Sequence, residues 1–103
     1  MPTPTFPFAA NLFENQVVVI TGGGTGIGLA SAQRFAALGA KVAIGSRKQQ
    51  NIDAGLAVLR EEAPEDRLYG SPLDTRDATT VDAWVEGVLA KFGRIDVLIN
   101  NAG

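Results

Sequence analysis

Gly22, Gly26 and Gly28, in the run Thr21-Gly22-Gly23-Gly24-Thr25-Gly26-Ile27-Gly28, are the residues whose spacing points most directly to chemistry. A β-branched run, Val17-Val18-Val19-Ile20, stops at this cluster, and a helical pattern begins inside it. Such a stretch is a buried strand, a tight turn and the first turn of a helix. The first N–H groups of a helix have no partner within it, and its aligned peptide dipoles make that end electropositive. A diphosphate is the natural occupant. Gly22 permits the sharp exit from the strand, Gly26 lets backbone approach phosphate oxygens, and Gly28 lets helix and strand pack closely. The spacing is G-x-x-x-G-x-G and no Gly-Lys-Ser or Gly-Lys-Thr follows, which excludes a Walker phosphate loop.

Other candidate chemistry falls away quickly. The chain contains no Cys and no His, which removes disulfides, thiol catalysis, thiolate metal sites and imidazole as ligand or base; no metal site is expected. Asp74 and Asp77 are close enough for paired-acid work, but Asp77 reads as the start of a helix. Glu61 and Glu62 read as a solvated helix end, and Trp84 as packing beside a core stripe. With a formal charge of −2 and no basic cluster, nothing supports nucleic-acid binding. No apolar run approaches the length of a membrane span, and no secretory leader pattern opens the chain, so a cytoplasmic protein is expected.

The elements that must position the glycines follow in order. Residues 1–13 carry Pro2, Pro4 and Pro7 and read as an extended arm, with Phe6, Phe8 and Phe13 as possible anchors. A first strand over residues 16–21 leads into a helix whose face is set by Ile27, Ser31, Phe35 and Leu38, with Gly39 as its C-terminal cap. Residues 41–46 form a second strand. The second helix places Ile52, Leu56, Leu59 and Ala63 on one face and closes at Pro64. Residues 67–73 make a third strand, and Pro72 confines it to a sheet edge because proline cannot donate to a ladder. A third helix shows Val81, Val85, Val88 and Phe92 on one face, widened by Leu89 and capped by Gly93. Residues 95–100 form a fourth strand. Alternating strands and helices predict an α/β fold, a Rossmann-like parallel sheet with helices on both faces. Right-handed crossovers give strand order 3-2-1-4, with the ligand crevice between strands 1 and 4.

The glycine run, Asp74 after the third strand and Asn100-Asn101-Ala102-Gly103 after the fourth together resemble the short-chain dehydrogenase/reductase family, in its T-G-x-x-x-G-x-G branch with an N-N-A-G motif. The resemblance covers residues 16–103. It implies a nicotinamide-dependent oxidoreductase that moves a hydride to or from a carbonyl, alcohol or enoyl small molecule, and a homo-oligomer as the full-length protein. Carried over by position, Gly22, Gly24, Thr25 and Ile27 would line the diphosphate and adenosine ribose. Asp74 and Thr75 would meet the adenine, and Asn101 would sit beside the cofactor. Residues 14–103 then correspond to the N-terminal half of a dinucleotide-binding domain.

The end of the second strand bears on the cofactor. A carboxylate there accepts hydrogen bonds from a ribose 2′-hydroxyl and repels a 2′-phosphate. This chain has Ser46, Arg47 and Lys48 instead. A hydroxyl and a planar guanidinium suit a phosphate, so NADP is favoured over NAD. The family's catalytic Ser, Tyr and Lys are not found: the one tyrosine is Tyr69, and the residue four later is Leu73. The chain therefore reads as the cofactor-binding portion of a longer reductase, inactive by itself. The alternative is a nucleotide-binding or regulatory module without turnover. The substrate is set by loops outside the motif, although Gly45-Ser46-Arg47 looks like the enoyl- and dienoyl-thioester reductase branch. An unpaired fourth strand is expected to leave the chain marginally stable or self-associating.

Overall fold

The computed structural model describes residues 13–101. The arm expected over residues 1–13 thus lies outside the described residues except for Phe13, as do Ala102 and Gly103 of the N-N-A-G motif. Phe13 is turned onto the body, its ring 4.9 Å from that of Phe35 in an edge-to-face pair.

The order of elements is β1 (Val17–Thr21), α1 (Gly26–Ala37), β2 (Lys41–Ser46), α2 (Gln49–Leu59), a single 3₁₀ turn (Glu65–Arg67), β3 (Leu68–Pro72), α3 (Ala78–Phe92) and β4 (Val97–Asn100). All three strand pairings are parallel, and the order across the sheet is β3-β2-β1-β4. This is the Rossmann-like 3-2-1-4 arrangement, with proline-bearing β3 at an outer edge. Parallel strands covered on both faces must be apolar along their whole length. β1 meets that demand over Val17–Ile20, and its last residue, Thr21, is buried but polar.

Alternation along β1 divides the core in two. Val18 and Ile20 join Val42, Ile44, Leu59 and Leu68 beneath α1 and α2. Val17 and Val19 join Ala43, Leu73, Trp84 and Val88 beneath α3. Each such aliphatic side chain removed from water contributes about 1.5–3 kcal/mol. Asp77 starts α3 as expected, its carboxylate accepting from the Thr79 amide at 2.9 Å. Gly93 ends that helix at φ 79°, donating to Leu89 O.

The expected face of α1 is corrected, and that of α3 is trimmed by one residue. The buried stripe of α1 is Gly28, Ala32 and Ala36, one position on from the expected Ile27, Ser31, Phe35 and Leu38, and Ile27 is 78% exposed. Close approach of α1 to the sheet demands small side chains, whereas a reading weighted by hydrophobicity selects large ones. On α3 the expected face stands, with Val88 buried and Val81, Val85 and Phe92 packed half-buried against the core; Trp84 is buried beside it, while Leu89 is 43% exposed and does not widen the face. Trp84 is drawn inward because its Nε1 reaches under the sheet to donate to Ile44 O at 3.2 Å.

Three strands are shorter than expected: β1 starts one residue later, and β3 and β4 start late for polar reasons. Residue 67 belongs to the 3₁₀ turn, and the Arg67 guanidinium donates to Ala36 O and Ala40 O at the end of α1. Before β4, the Asp96 carboxylate accepts from the Val17 amide at 2.8 Å, so a side chain takes part of the ladder's place.

Candidate functional site

The parallel register brings the carboxyl ends of all four strands together: Thr21 lies opposite both Gly45 and Asn100, and Ser46 lies opposite Pro72. In an open α/β sheet this end is where ligands bind.

The glycine turn is built by close contacts. Gly22 leaves β1 at φ 70°, a left-handed conformation costly for any other residue, and its amide donates to Gly45 O at 2.7 Å. A Cβ on Gly28 would stand 2.2 Å from Gly22 O, so helix and strand touch backbone to backbone. Gly26, at φ 56°, has open space where its side chain would be. Thr25 is extended and its side chain makes no capping bond, and the first turn of α1 has no acid. Among the described residues, then, no side-chain cap and no first-turn acid offsets the amides and dipole of that helix end. Gly24 serves a different contact, since a Cβ there would lie 2.5 Å from Asn51 O on α2. Gly23 and Gly55 are similarly constrained, against Ile44 and Gly24. Sequence reasoning gave these two no role. A glycine inside a helix, costing about 1 kcal/mol against alanine, was the available signal for Gly55.

The end of β4 is tied to β1 through one hydroxyl. Thr21 Oγ1 bonds Asn100 Oδ1 at 3.0 Å and accepts from the Asn101 amide at 2.9 Å. That arrangement sets the exposed Asn101 over the start of α1, with its Nδ2 2.7 Å from where a Gly28 Cβ would be.

A cavity of about 240 Å³ opens at the ends of β2 and β3, lined by Gly22, Gly45, Ser46, Arg47, Asp74 and Arg76 among others. Thr75 lines it too. Gly22 joins this cavity to the helix end at residues 25–28, so the candidate residues form two adjoining groups. The Ser46 hydroxyl accepts from the Lys48 amide at 3.4 Å. Asp74 is held by Arg76 in a fork: Nε to Oδ1 and Nη2 to Oδ2, each 3.0 Å, with the Arg76 amide also on Oδ1. These bonds to Arg76, with a smaller pull from Arg47, bring the Asp74 carboxyl down to about 2. Sequence reasoning passed over Arg76, for which an Asp-x-Arg spacing was the sole signal.

The residues fit a dinucleotide. The open helix end offers amides to bridging phosphates, and the cavity beside it offers a hydroxyl, a guanidinium and a carboxylate to a ribose and base. Tyr69 lies elsewhere, packed into the α3-side core with its hydroxyl over Gly87.

Comparisons with known proteins give this fold its relatives. Levodione reductase of Leifsonia aquatica is 41% identical over 91 residues, which are 88% of this chain and 34% of that protein. The apo glucose dehydrogenase of Caenorhabditis elegans superposes with a TM-score of 0.85 at 34% identity, over 88% of this chain and 39% of that one. A variant actinorhodin polyketide ketoreductase with NADPH superposes with a TM-score of 0.80 at 34% identity, over 85% of this chain and 33% of that one. The chain spans about a third of the length of these relatives. A family model described as short chain dehydrogenase matches residues 16–103, and with it the glycine turn, the sheet order and the relatives lead to one assignment: the chain belongs to the short chain dehydrogenase family.

Proposed function

We propose that this chain is the dinucleotide-binding portion of a reductase that uses NADP in preference to NAD. The bridging phosphates rest on the amides of residues 25–28, where Gly26 leaves room and Gly28 sets the helix against the strand. Ser46 and Arg47 would hold the ribose 2′-phosphate, Asp74 and Thr75 would meet the adenine, and Asn101 would sit beside the cofactor. When bound, the cofactor supplies or accepts a hydride. The chain's own residues bind and orient it. The substrate is a small carbonyl, alcohol or enoyl compound, with an acyl thioester as one class, and the whole protein works as a homo-oligomer. Without the family's Ser, Tyr and Lys, this portion does not turn over alone.

The observation that carries the reading is the end of β2, where the place of a 2′-hydroxyl-binding carboxylate is taken by Ser46 and Arg47 at the mouth of a cavity. The NADPH complex of a related ketoreductase supports it. Titration of the chain with NADPH and NADH, followed by nicotinamide fluorescence, tests it. NADPH should bind more tightly, and Arg47→Ala should weaken NADPH about tenfold while leaving NADH nearly unchanged, the size of one charge-assisted hydrogen bond. Equal or tighter binding of NADH would overturn the preference.

A further inference from the structure

The cavity that takes the 2′-phosphate in the reading above also holds a carboxylate. Asp74 lines the same space as Ser46 and Arg47. Its oxygens are ionised across the physiological range, because Arg76 and then Arg47 favour the charged form. An anion entering between β2 and β3 therefore meets a fixed negative charge. The expectation that the missing acid after β2 makes this a phosphate site is incomplete, since an acid reaches the site from β3.

Arg76 resolves the conflict geometrically. Its guanidinium covers both carboxylate oxygens at 3.0 Å and lines the cavity itself. The cavity's ionisable lining is then Arg47, Arg76 and Asp74, one positive charge in excess; without Arg76 it would be neutral. As a structural ion pair, Arg76–Asp74 does little: the arginine side chain is 72% exposed, and solvent screens such pairs. Its position beside an anion site gives it another use.

We propose that Arg76 is a specificity-determining residue that masks the Asp74 charge and so admits a 2′-phosphorylated cofactor. This rests on the preference for NADP proposed above. Arg76 acts through Asp74 and needs no contact with the phosphate. Asp74 remains free to meet the base through its remaining lone pairs, and because NADP and NAD share that base, the contact cancels in a ratio of their affinities.

The test is that ratio, measured by calorimetry with NADP and NAD on the chain at low ionic strength. Wild type should prefer NADP. Arg76→Gln should lower the NADP-over-NAD ratio about fivefold, the scale of one unit charge several ångströms from a phosphate in a wet site. Arg76→Lys, which keeps the charge without the fork, should lower it less. Asp74→Asn added to Arg76→Gln should restore the ratio, and about 0.5 M salt should shrink every difference. An unchanged ratio in Arg76→Gln would overturn the proposal. So would a loss that Asp74→Asn fails to restore, which would make Arg76 a direct phosphate ligand. A wild-type chain without preference for NADP would overturn the cofactor reading and this proposal with it. A preference for NADP that ignores both substitutions would overturn this proposal alone.

Discussion

The side chain that Gly28 lacks would place its first carbon 2.2 Å from the carbonyl oxygen of Gly22. No Cβ is tolerated at that distance from backbone, so an alanine here must push α1 off β1. Gly28→Ala should cost about 3 kcal/mol in urea-induced unfolding, at the upper end of overpacking effects. Gly26→Ala meets no neighbouring atoms and carries only the strain of φ 56°, about 1–2 kcal/mol. Equal losses at the two positions would show that conformation, and not the helix–strand contact, sets the requirement.

Thr21 spans the crevice in miniature. Thr21→Val keeps the shape and removes the hydroxyl shared by Asn100 and Asn101. The loss should be about 1–2 kcal/mol, the cost of leaving part-buried polar groups without a partner. Amide exchange of Asn101 should speed up as its acceptor disappears, while the amides of α3 stay protected. Unaltered exchange at Asn101 would mean that β4 is positioned by its ladder alone.

The strand order was legible because β-branched runs and helical periods are strong local signals, and Pro72 alone pointed β3 to the edge. The glycine turn was legible for the same reason, since few sequences need Gly22, Gly26 and Gly28 at that spacing. The buried face of α1 and the place of Trp84 beside that of α3 were harder. Backbone approach selects Gly28, Ala32 and Ala36 over larger neighbours, and a hydrogen bond to Ile44 O draws Trp84 inward, neither of which periodicity reports. Arg76 was missed because its partner sits two residues away, and a pair that close looks local until the cavity around it is known.

Trp84 and Leu89 therefore mark how far the buried face of α3 extends. Trp84→Phe removes the indole donor to Ile44 O and opens a gap beside Gly45, and should cost about 2–3 kcal/mol. Leu89→Ser, at a 43% exposed site, should stay within about 0.5 kcal/mol of wild type. Thermal unfolding of both variants measures this. A larger loss at Leu89 would restore it to the core.

Acid should weaken the fold modestly through depressed carboxyls, since each belongs to a solvent-screened ion pair. Asp74 sits at about 2 against an ordinary 3.8, held down first by the Arg76 side chain and then by the Arg76 amide. Asp96 lies below its ordinary value through Arg94 and the Val17 amide, and Glu65 through Arg60. A carboxyl lowered in the folded state stabilises it fully above the unfolded value and ceases to do so as pH falls through the folded value. Stability should thus hold down to about pH 4 and fall between about 4 and 2. Carbon-13 titration of the Asp74 carboxyl should find its midpoint near 2, and in Arg76→Gln it should move up toward 3.8. A midpoint near 3.8 in wild type would show that the fork does not form in solution.

The outer edge of β4 decides how the chain behaves alone. β4 ends the sheet order, so among the described residues no strand pairs with its far side. Val97 and Ile99 face the α1 side half-buried, and Leu98 is 64% exposed. An apolar edge with unpaired N–H and C=O groups is a template for another strand, and a charge on it is the usual remedy. Sedimentation should show association that grows with concentration, and Leu98→Lys should shift the chain toward monomer without changing the far-ultraviolet spectrum. Lysine acts there by making edge-to-edge pairing bring like charges together, while its stem still covers the sheet. A wild-type monomer at high concentration, unfolding in one sharp transition, would mean that the four-strand unit is self-sufficient and that its edge attracts nothing.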